Sequence, residues 1–179
     1  SSCKTFTMPR VVCVGDRRLD VIHFSPTRRD GMVSLSSSSP LFPLPGVLGH
    51  EITTYRLEDA LSDGPSVLAF YVFDFHPACT RECFSLRDAD WLTLLDDVTV
   101  LGIGTDRVFS HRQFGDDLGL GVPLLSDSDG AVSERYDVLH DELNGHRRVS
   151  QRAVFIVSPD GVVRYRWVAD DPQEQPNLD

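Results

Sequence analysis

Ser66-Val67-Leu68-Ala69-Phe70-Tyr71-Val72-Phe73 is a continuous apolar run of strand length. The loop Asp74-Phe75-His76-Pro77-Ala78 follows it, and then Cys79-Thr80-Arg81-Glu82-Cys83. A run without polar alternation belongs in a central strand buried on both faces. From Cys79 to Leu95 the pattern turns helical. Phe84, Trp91 and Leu95 recur at sevens and fours, and Leu92 and Leu94 widen the stripe. Strand, loop and helix in that order open an α/β unit. In open α/β sheets the sites lie at the C-terminal edge of the strands, which is where Cys79 falls.

The pattern repeats outward from this stretch. Val98 to Gly104 reads as a second buried strand, and Ser110 can cap a helix through Leu118. Val122 to Leu125 is a short extended piece, Gly130 to Tyr136 a further helix, and Arg152 to Val157 a third strand. Pro159-Asp160-Gly161 is a strong turn, after which Val162 to Val168 returns antiparallel as a hairpin. Upstream, Pro43, Pro45 and Gly46 punctuate the approach to the domain. Ile52, Thr54 and Arg56 suggest a short strand, and Leu57 to Leu61 one helical turn stopped by Asp63-Gly64-Pro65. Together these predict an α/β fold, with a mixed central sheet flanked by helices and a C-terminal β-hairpin.

The chain has 179 residues, 41% of them hydrophobic, which suits one domain with a real core. Seventeen basic residues against 27 acidic ones leave a net charge of −10, which argues against nucleic acid or an anionic membrane as the main partner. No apolar run approaches the roughly 18 residues of a spanning helix, and Ser1 to Arg10 holds no apolar h-region. Charge is unevenly spread. Residues 1–31 hold six basic and three acidic groups, net +3, so the remainder carries −13. The serine run Ser36 to Ser39 has linker composition. Residues 1–40 are therefore expected to form a disordered or non-domain extension, residues 41–168 the domain, and residues 169–179 an acidic frayed tail. The charge break at Met32 would also fit upstream sequence ahead of a start at that residue.

Four cysteines are too few for a secreted disulfide scaffold, and a cytoplasmic location is expected. Cys3 and Cys13 lie in the basic extension; Cys79 and Cys83 sit together mid-chain. A thiol reacts only as a thiolate. The first turn of a helix, with unpaired N–H groups and the positive end of its dipole, favours that form. Arg81 follows closely, and Arg152 opens a strand that could lie alongside. The bland alternative is a pair of buried core thiols.

At this point the sequence resembles a known family. Phe70 to Glu82, continuing to Leu86-Arg87-Asp88, resembles the active-site segment of peroxiredoxins of the alkyl hydroperoxide reductase/thiol-specific antioxidant type, including their bacterioferritin-comigratory-like branch. Later pieces agree in order and spacing: Val100 to Asp106, Ser110-His111, Phe114, Leu118-Gly119-Leu120, Pro123 to Asp127, Gly130, and Arg152 to Val157 with Asp160-Gly161. The resemblance covers about residues 42–168. It implies a thioredoxin-like fold and a thiol peroxidase with an antioxidant role. Such an enzyme uses neither metal nor cofactor, takes a hydroperoxide and a thiol reductant such as a thioredoxin-like protein, and in many relatives forms a homodimer. Carried over, Cys79 matches the peroxidatic cysteine, which becomes a sulfenic acid. Arg152 matches the arginine that stabilises its thiolate, and Glu82 the glutamate that orients that arginine.

The family's motif is Pro-x-x-x-Thr/Ser-x-x-Cys, and here Val72 and His76 stand at the proline and threonine positions. His76 removes a hydroxyl but can offer a ring N–H instead. Some relatives resolve the sulfenic acid with a cysteine five residues on in the same helix. Cys83, four residues on, is one short of that position. A Cα separation of roughly 6 Å suits a disulfide only if the side chains converge. Two other functions compete, beside a general thiol–disulfide oxidoreductase, which normally wants the Cys-x-x-Cys that is absent here. Cys79-x-x-x-Cys83 is a spacing that copper-delivery proteins on this fold use with a distant histidine, for which His146 is the nearest candidate and His140 lies farther off. A degenerate redox fold kept for binding is the other.

Overall fold

The computed structural model describes residues 12–14, 17–19, 33–87, 97–171 and 174; the side chains of residues 12–14, 17–19, 82 and 84–87 lie outside the described set. Two compact units emerge, Ser1–Gly31 and Met32–Asp179. In the first, β1 (Val12–Val14) and β2 (Arg17–Leu19) pair antiparallel, with Val12 opposite Leu19.

The second unit contains seven strands in one sheet among the described residues: β3 (Pro43–Leu48), β4 (Glu51–Arg56), β5 (Ser66–Phe70), β6 (Thr99–Gly104), β7 (Leu124–Ser126), β10 (Ala153–Val157) and β11 (Val163–Val168). Their order is β11-β10-β5-β6-β7-β3-β4. β5, β6 and β7 run parallel, while β10 and β11 on one side and β3 and β4 on the other are antiparallel to their neighbours. The sheet is therefore mixed, as expected. The helices are α1 (Leu57–Asp63), α2 (Pro77–Arg87 as described), α3 (Val108–Leu118) and α4 (Ala131–Arg135).

β5 is buried along its whole length. Leu68 and Phe70 enter a core with Leu101, Ile103, Tyr136 and Phe155, and Val67 enters a second one with Val100, Val154 and Trp167. The apolar run outlasts the strand. Tyr71 N–H still donates to Ile103 O, but the chain then leaves the sheet, and Val72 packs in a third cluster around Cys79. Burial, not strand pairing, explains why Val72 is apolar.

Residues 33–40 depart from the expectation of a linker. Ser36 and Ser39 donate their N–H groups to Val163 O and Gly161 O, and Val163 N–H returns a bond to Ser37 O. The serine run thus lies along the start of β11, and its small side chains permit that close seat. Ser39 Oγ lies 2.5 Å from Tyr136 Oη, which in turn donates to Pro40 O. The compact unit Met32–Asp179 takes in this segment. Tyr136→Phe should leave the Ser39 hydroxyl and the Pro40 carbonyl short of a partner. Urea unfolding should report a loss of about 1–3 kcal/mol at an unchanged m-value.

Two further elements escaped the sequence reading. β3 forms despite Pro43 and Pro45. β7 pairs with it at Gly46 and Val47, so along the prolines β3 has no strand partner on that side among the described residues. β8 (Leu139–Leu143) and β9 (His146–Ser150) form a separate hairpin turned by Asn144-Gly145, at φ of 53° and 80°. Asn-Gly between two extended runs is a strong hairpin signal, because both residues accept the left-handed conformation of a tight primed turn. The helical reading from Cys79 to Leu95 is described only as far as Arg87; residues 88–96 lie outside the described set.

Candidate active site

α2 starts two residues before Cys79, at Pro77. Proline suits the first helical position because its missing N–H has no intrahelical partner there. His76 precedes it as the cap. Ala78 N–H donates to His76 Nδ1 at 3.3 Å, and Thr80 N–H to His76 O at 2.9 Å. The Nδ1 atom that accepts an N–H carries no proton, so its partner Nε2 is the ring donor. Cys79 occupies the third helical position, whose N–H points forward with no intrahelical carbonyl to bond.

Strand register brings the second residue in. Ala153 of β10 lies opposite Phe70 of β5, so Arg152, one residue earlier, sits level with the start of the loop that leads to Cys79. Arg152 Nη2 donates to Cys79 Sγ at 3.4 Å. Both residues are fully buried, at 1% and 0% exposure. A buried guanidinium is costly unless an anion faces it, and a thiolate serves that purpose.

Cys83 is buried in the same cluster, among Tyr71, Val72, Phe114 and Leu124, and neither Cys79 nor Cys83 is in a disulfide. The expected orienting residue, Glu82, lies on α2, with its side chain outside the described set. No contact between His146 and either cysteine is described. It opens β9, with its ring 5.0 Å from that of Phe73, and no group of three metal-ligating side chains occurs among the described residues. His140 lies on β8, where burial pulls its imidazole below the ordinary value.

A polar cluster behind the loop was not singled out from the sequence, apart from its share in the family resemblance. His111 Nδ1 lies 2.9 and 3.0 Å from the two carboxylate oxygens of Asp74, and both side chains are buried, at 0% and 2% exposure. Tyr71 Oη donates to Asp74 Oδ1 at 2.9 Å and lies 3.0 Å from His111 Nδ1. Burial, and then the Asp74 carboxylate, push the Tyr71 phenol well above its ordinary value, which keeps it a donor. A glycine makes room for these rings: a Cβ on Gly104 would lie 3.0 Å from the Tyr71 ring and 3.3 Å from His111 Cε1.

Asp106, just ahead of α3, accepts the Asp74 N–H at 2.9 Å. Burial raises its carboxyl above the usual range. The Asp74 N–H opposes that rise and the Asp74 charge adds to it. A raised carboxylate pKa means that ionisation opposes folding. The contribution is favourable below the unfolded value of about 4 and is lost as pH rises through the folded value. Asp106→Asn keeps an acceptor for the Asp74 N–H and removes the charge. Its melting temperature at neutral pH should exceed that of the parent protein, and the gap should close as the buffer is taken toward about pH 4. A gap that persists in acid would contradict this cause.

Comparison with known proteins gives the family. Residues 36–166 match the AhpC/TSA family. The peroxiredoxin bcp of Coxiella burnetii is 32% identical over 138 residues, which span 75% of this chain and 88% of that protein. The thioredoxin peroxidase of Fasciola hepatica is 32% identical over 148 residues, 79% of this chain and 74% of its own. The crystal structure of peroxidoxin BcpB from Mycobacterium tuberculosis superposes with a TM-score of 0.68 at 31% identity, covering 76% of this chain and 86% of that one. These relatives are peroxidases, and they lend no support to the copper-delivery or binding-only alternatives. With its thioredoxin-like mixed sheet and its thiol beside a buried arginine, the chain belongs to the AhpC/TSA family and is a thiol peroxidase of the peroxiredoxin kind.

Proposed function

We propose that Cys79 is the peroxidatic residue, with Arg152 holding its charge and Cys83 resolving the oxidised form. The observation that carries this reading is the guanidinium 3.4 Å from a sulfur at a helix N-terminus, both out of water. The Cys79 thiolate attacks the terminal oxygen of a hydroperoxide and the O–O bond breaks. The sulfur keeps that oxygen and its hydrogen as a sulfenic acid, while the leaving alkoxide takes up the proton that the thiol had lost. Donors aimed at the oxygens where charge develops lower the barrier, and Arg152 is placed to supply them. In this proposal His76 offers its Nε2–H in place of the missing threonine hydroxyl, and Glu82 steadies Arg152.

Cys83 then condenses with the sulfenic acid, so that water leaves and the Cys79–Cys83 disulfide forms. Residues four apart on a helix hold their Cβ atoms about 5–6 Å apart, whereas a disulfide needs roughly 3.5–4.5 Å. The first turn of α2 therefore has to unwind, and Val72, where the family carries proline, leaves the loop freer to follow it. A thiol reductant, of the thioredoxin type by analogy with the Fasciola relative, returns the enzyme to the dithiol. We place it in a reducing compartment such as the cytoplasm, which regenerates such a reductant. No helix among the described residues is long and apolar enough to cross a membrane.

Steady-state consumption of hydrogen peroxide with thioredoxin or dithiothreitol tests the overall reading. Mass mapping tests the resolving step. One equivalent of peroxide should give a Cys79–Cys83 disulfide, and Cys83→Ser should instead accumulate a Cys79 sulfenic acid that dimedone traps. A sulfenic acid at Cys79 beside a free Cys83 in the parent protein would assign resolution to an external thiol.

A further inference from the structure

We propose that α3, through His111, is the positioning element for the loop that carries Cys79, with the buried Asp74–His111 pair as its central contact. The loop between β5 and α2 is held at two consecutive residues, and the contacts described there come from α3, from Asp106 two residues ahead of that helix, and from Tyr71. The Asp74 carboxylate lies on His111 Nδ1 and on the Tyr71 hydroxyl, and its N–H lies on Asp106 Oδ2. Phe75 has a φ of 61°, a left-handed conformation that a bulky side chain adopts only when its surroundings impose it. Its ring meets Phe114 edge-on at 5.2 Å. His111, Phe114 and Leu118 follow at three and four residues, so they form one buried face of α3.

Distance along the chain gives this anchor its leverage. The next residue, His76, caps α2, and Cys79 follows three positions later. A displaced Asp74–Phe75 turn therefore carries the cap and the thiol away from Arg152, which is fixed separately at the residue before β10. A misplacement of about 1 Å at a reacting group can cost on the order of 100-fold in rate.

Stability alone does not explain the pair. Well-packed apolar side chains of similar volume often replace a buried ion pair without loss. Here, moreover, His111 Nε2 is buried with no hydrogen-bond partner among the described residues, and the ring's described polar contacts all run through Nδ1. Such costs concentrate where geometry matters to function.

The inference rests on Cys79 being the reacting thiol, and the test separates the two. His111→Leu removes the donor at similar bulk, while His111→Asn places an amide N–H near the position of Nδ1. Single-turnover oxidation by hydrogen peroxide, the ultraviolet absorbance of the Cys79 thiolate at neutral pH, and thermal unfolding are read on each. His111→Leu should oxidise at least about tenfold more slowly with less thiolate, and His111→Asn should recover to within about threefold of the parent rate. Should His111→Leu fail to fold, the isosteric Asp74→Asn carries the same expected loss. Parent-like rate and thiolate content in the folded His111→Leu or Asp74→Asn protein would overturn the proposal, whatever the melting temperature. Equal losses in His111→Leu and His111→Asn would overturn it as well. A parent protein whose Cys79 ignores peroxide would instead fail the reading on which it rests.

Discussion

Peroxide turnover is expected to disappear in Cys79→Ser. A serine hydroxyl is not ionised at neutral pH and is a far weaker nucleophile than a thiolate. The rate of hydroperoxide consumption under excess thiol should therefore fall on the order of a thousandfold or more. The fold should survive, because sulfur and oxygen differ little in size, and a hydroxyl at this buried position can accept from the Arg152 guanidinium that donates to the sulfur. Unchanged far-ultraviolet circular dichroism beside lost turnover is the expected pair of results. Retained turnover in the folded variant would remove Cys79 from the mechanism. Cys83→Ser provides the contrast. It should still oxidise once at the parent rate, because Cys83 enters only after the O–O bond is broken.

The second large effect is expected at Arg152. Arg152→Met keeps a long, unbranched side chain and removes the charge and the donors. Two consequences should appear together. The thiolate absorbance of Cys79 at neutral pH should drop, because the nearby cation favours the charged sulfur. Single-turnover oxidation should slow by about 100- to 1,000-fold, the usual loss when one donor to developing negative charge is removed. Arg152→Lys should recover only part of this. A lysine ammonium supplies the charge but not the planar fork that can serve sulfur and peroxide oxygen at once. A slow reaction with an undiminished thiolate signal would show that Arg152 acts on the peroxide alone, and an unchanged rate would remove it from the site.

Legibility in the sequence followed the range of the interactions. The buried strand and the strand-to-helix junction at Cys79 are local matters, written in an apolar run and the helical periodicity after it, although Pro77, read as loop, is already the first residue of α2. The hairpin at Asn144-Gly145 is equally local and its dipeptide marks it, yet it escaped the reading of the sequence. The serine run at residues 36–39 misled for a physical reason. Small polar residues suit both a solvated linker and a strand-like segment bonded to a sheet edge, and the choice depends on whether β11 is beside them. His76 reads as a stand-in for a hydroxyl, and its cap on Ala78 N–H appears only once the loop is closed.

From its sequence alone, this protein is determined to have an α/β fold, a thiol at a strand-to-helix junction and, through the ordered motifs of residues 42–168, its family. Those features depend on residues within a helical turn or a strand length of one another, so periodicity and capping reveal them. Only the tertiary structure decided what surrounds the thiol. Arg152 is 73 residues from Cys79, and it arrives because β10 pairs with β5 in the register that sets Ala153 against Phe70. His111 is 37 residues from Asp74, and it arrives because α3 packs behind the loop. A shift of one residue in that strand pairing would turn Arg152 to the other face of the sheet. No local pattern encodes that choice, because the register is set by the burial of whole strand faces against one another.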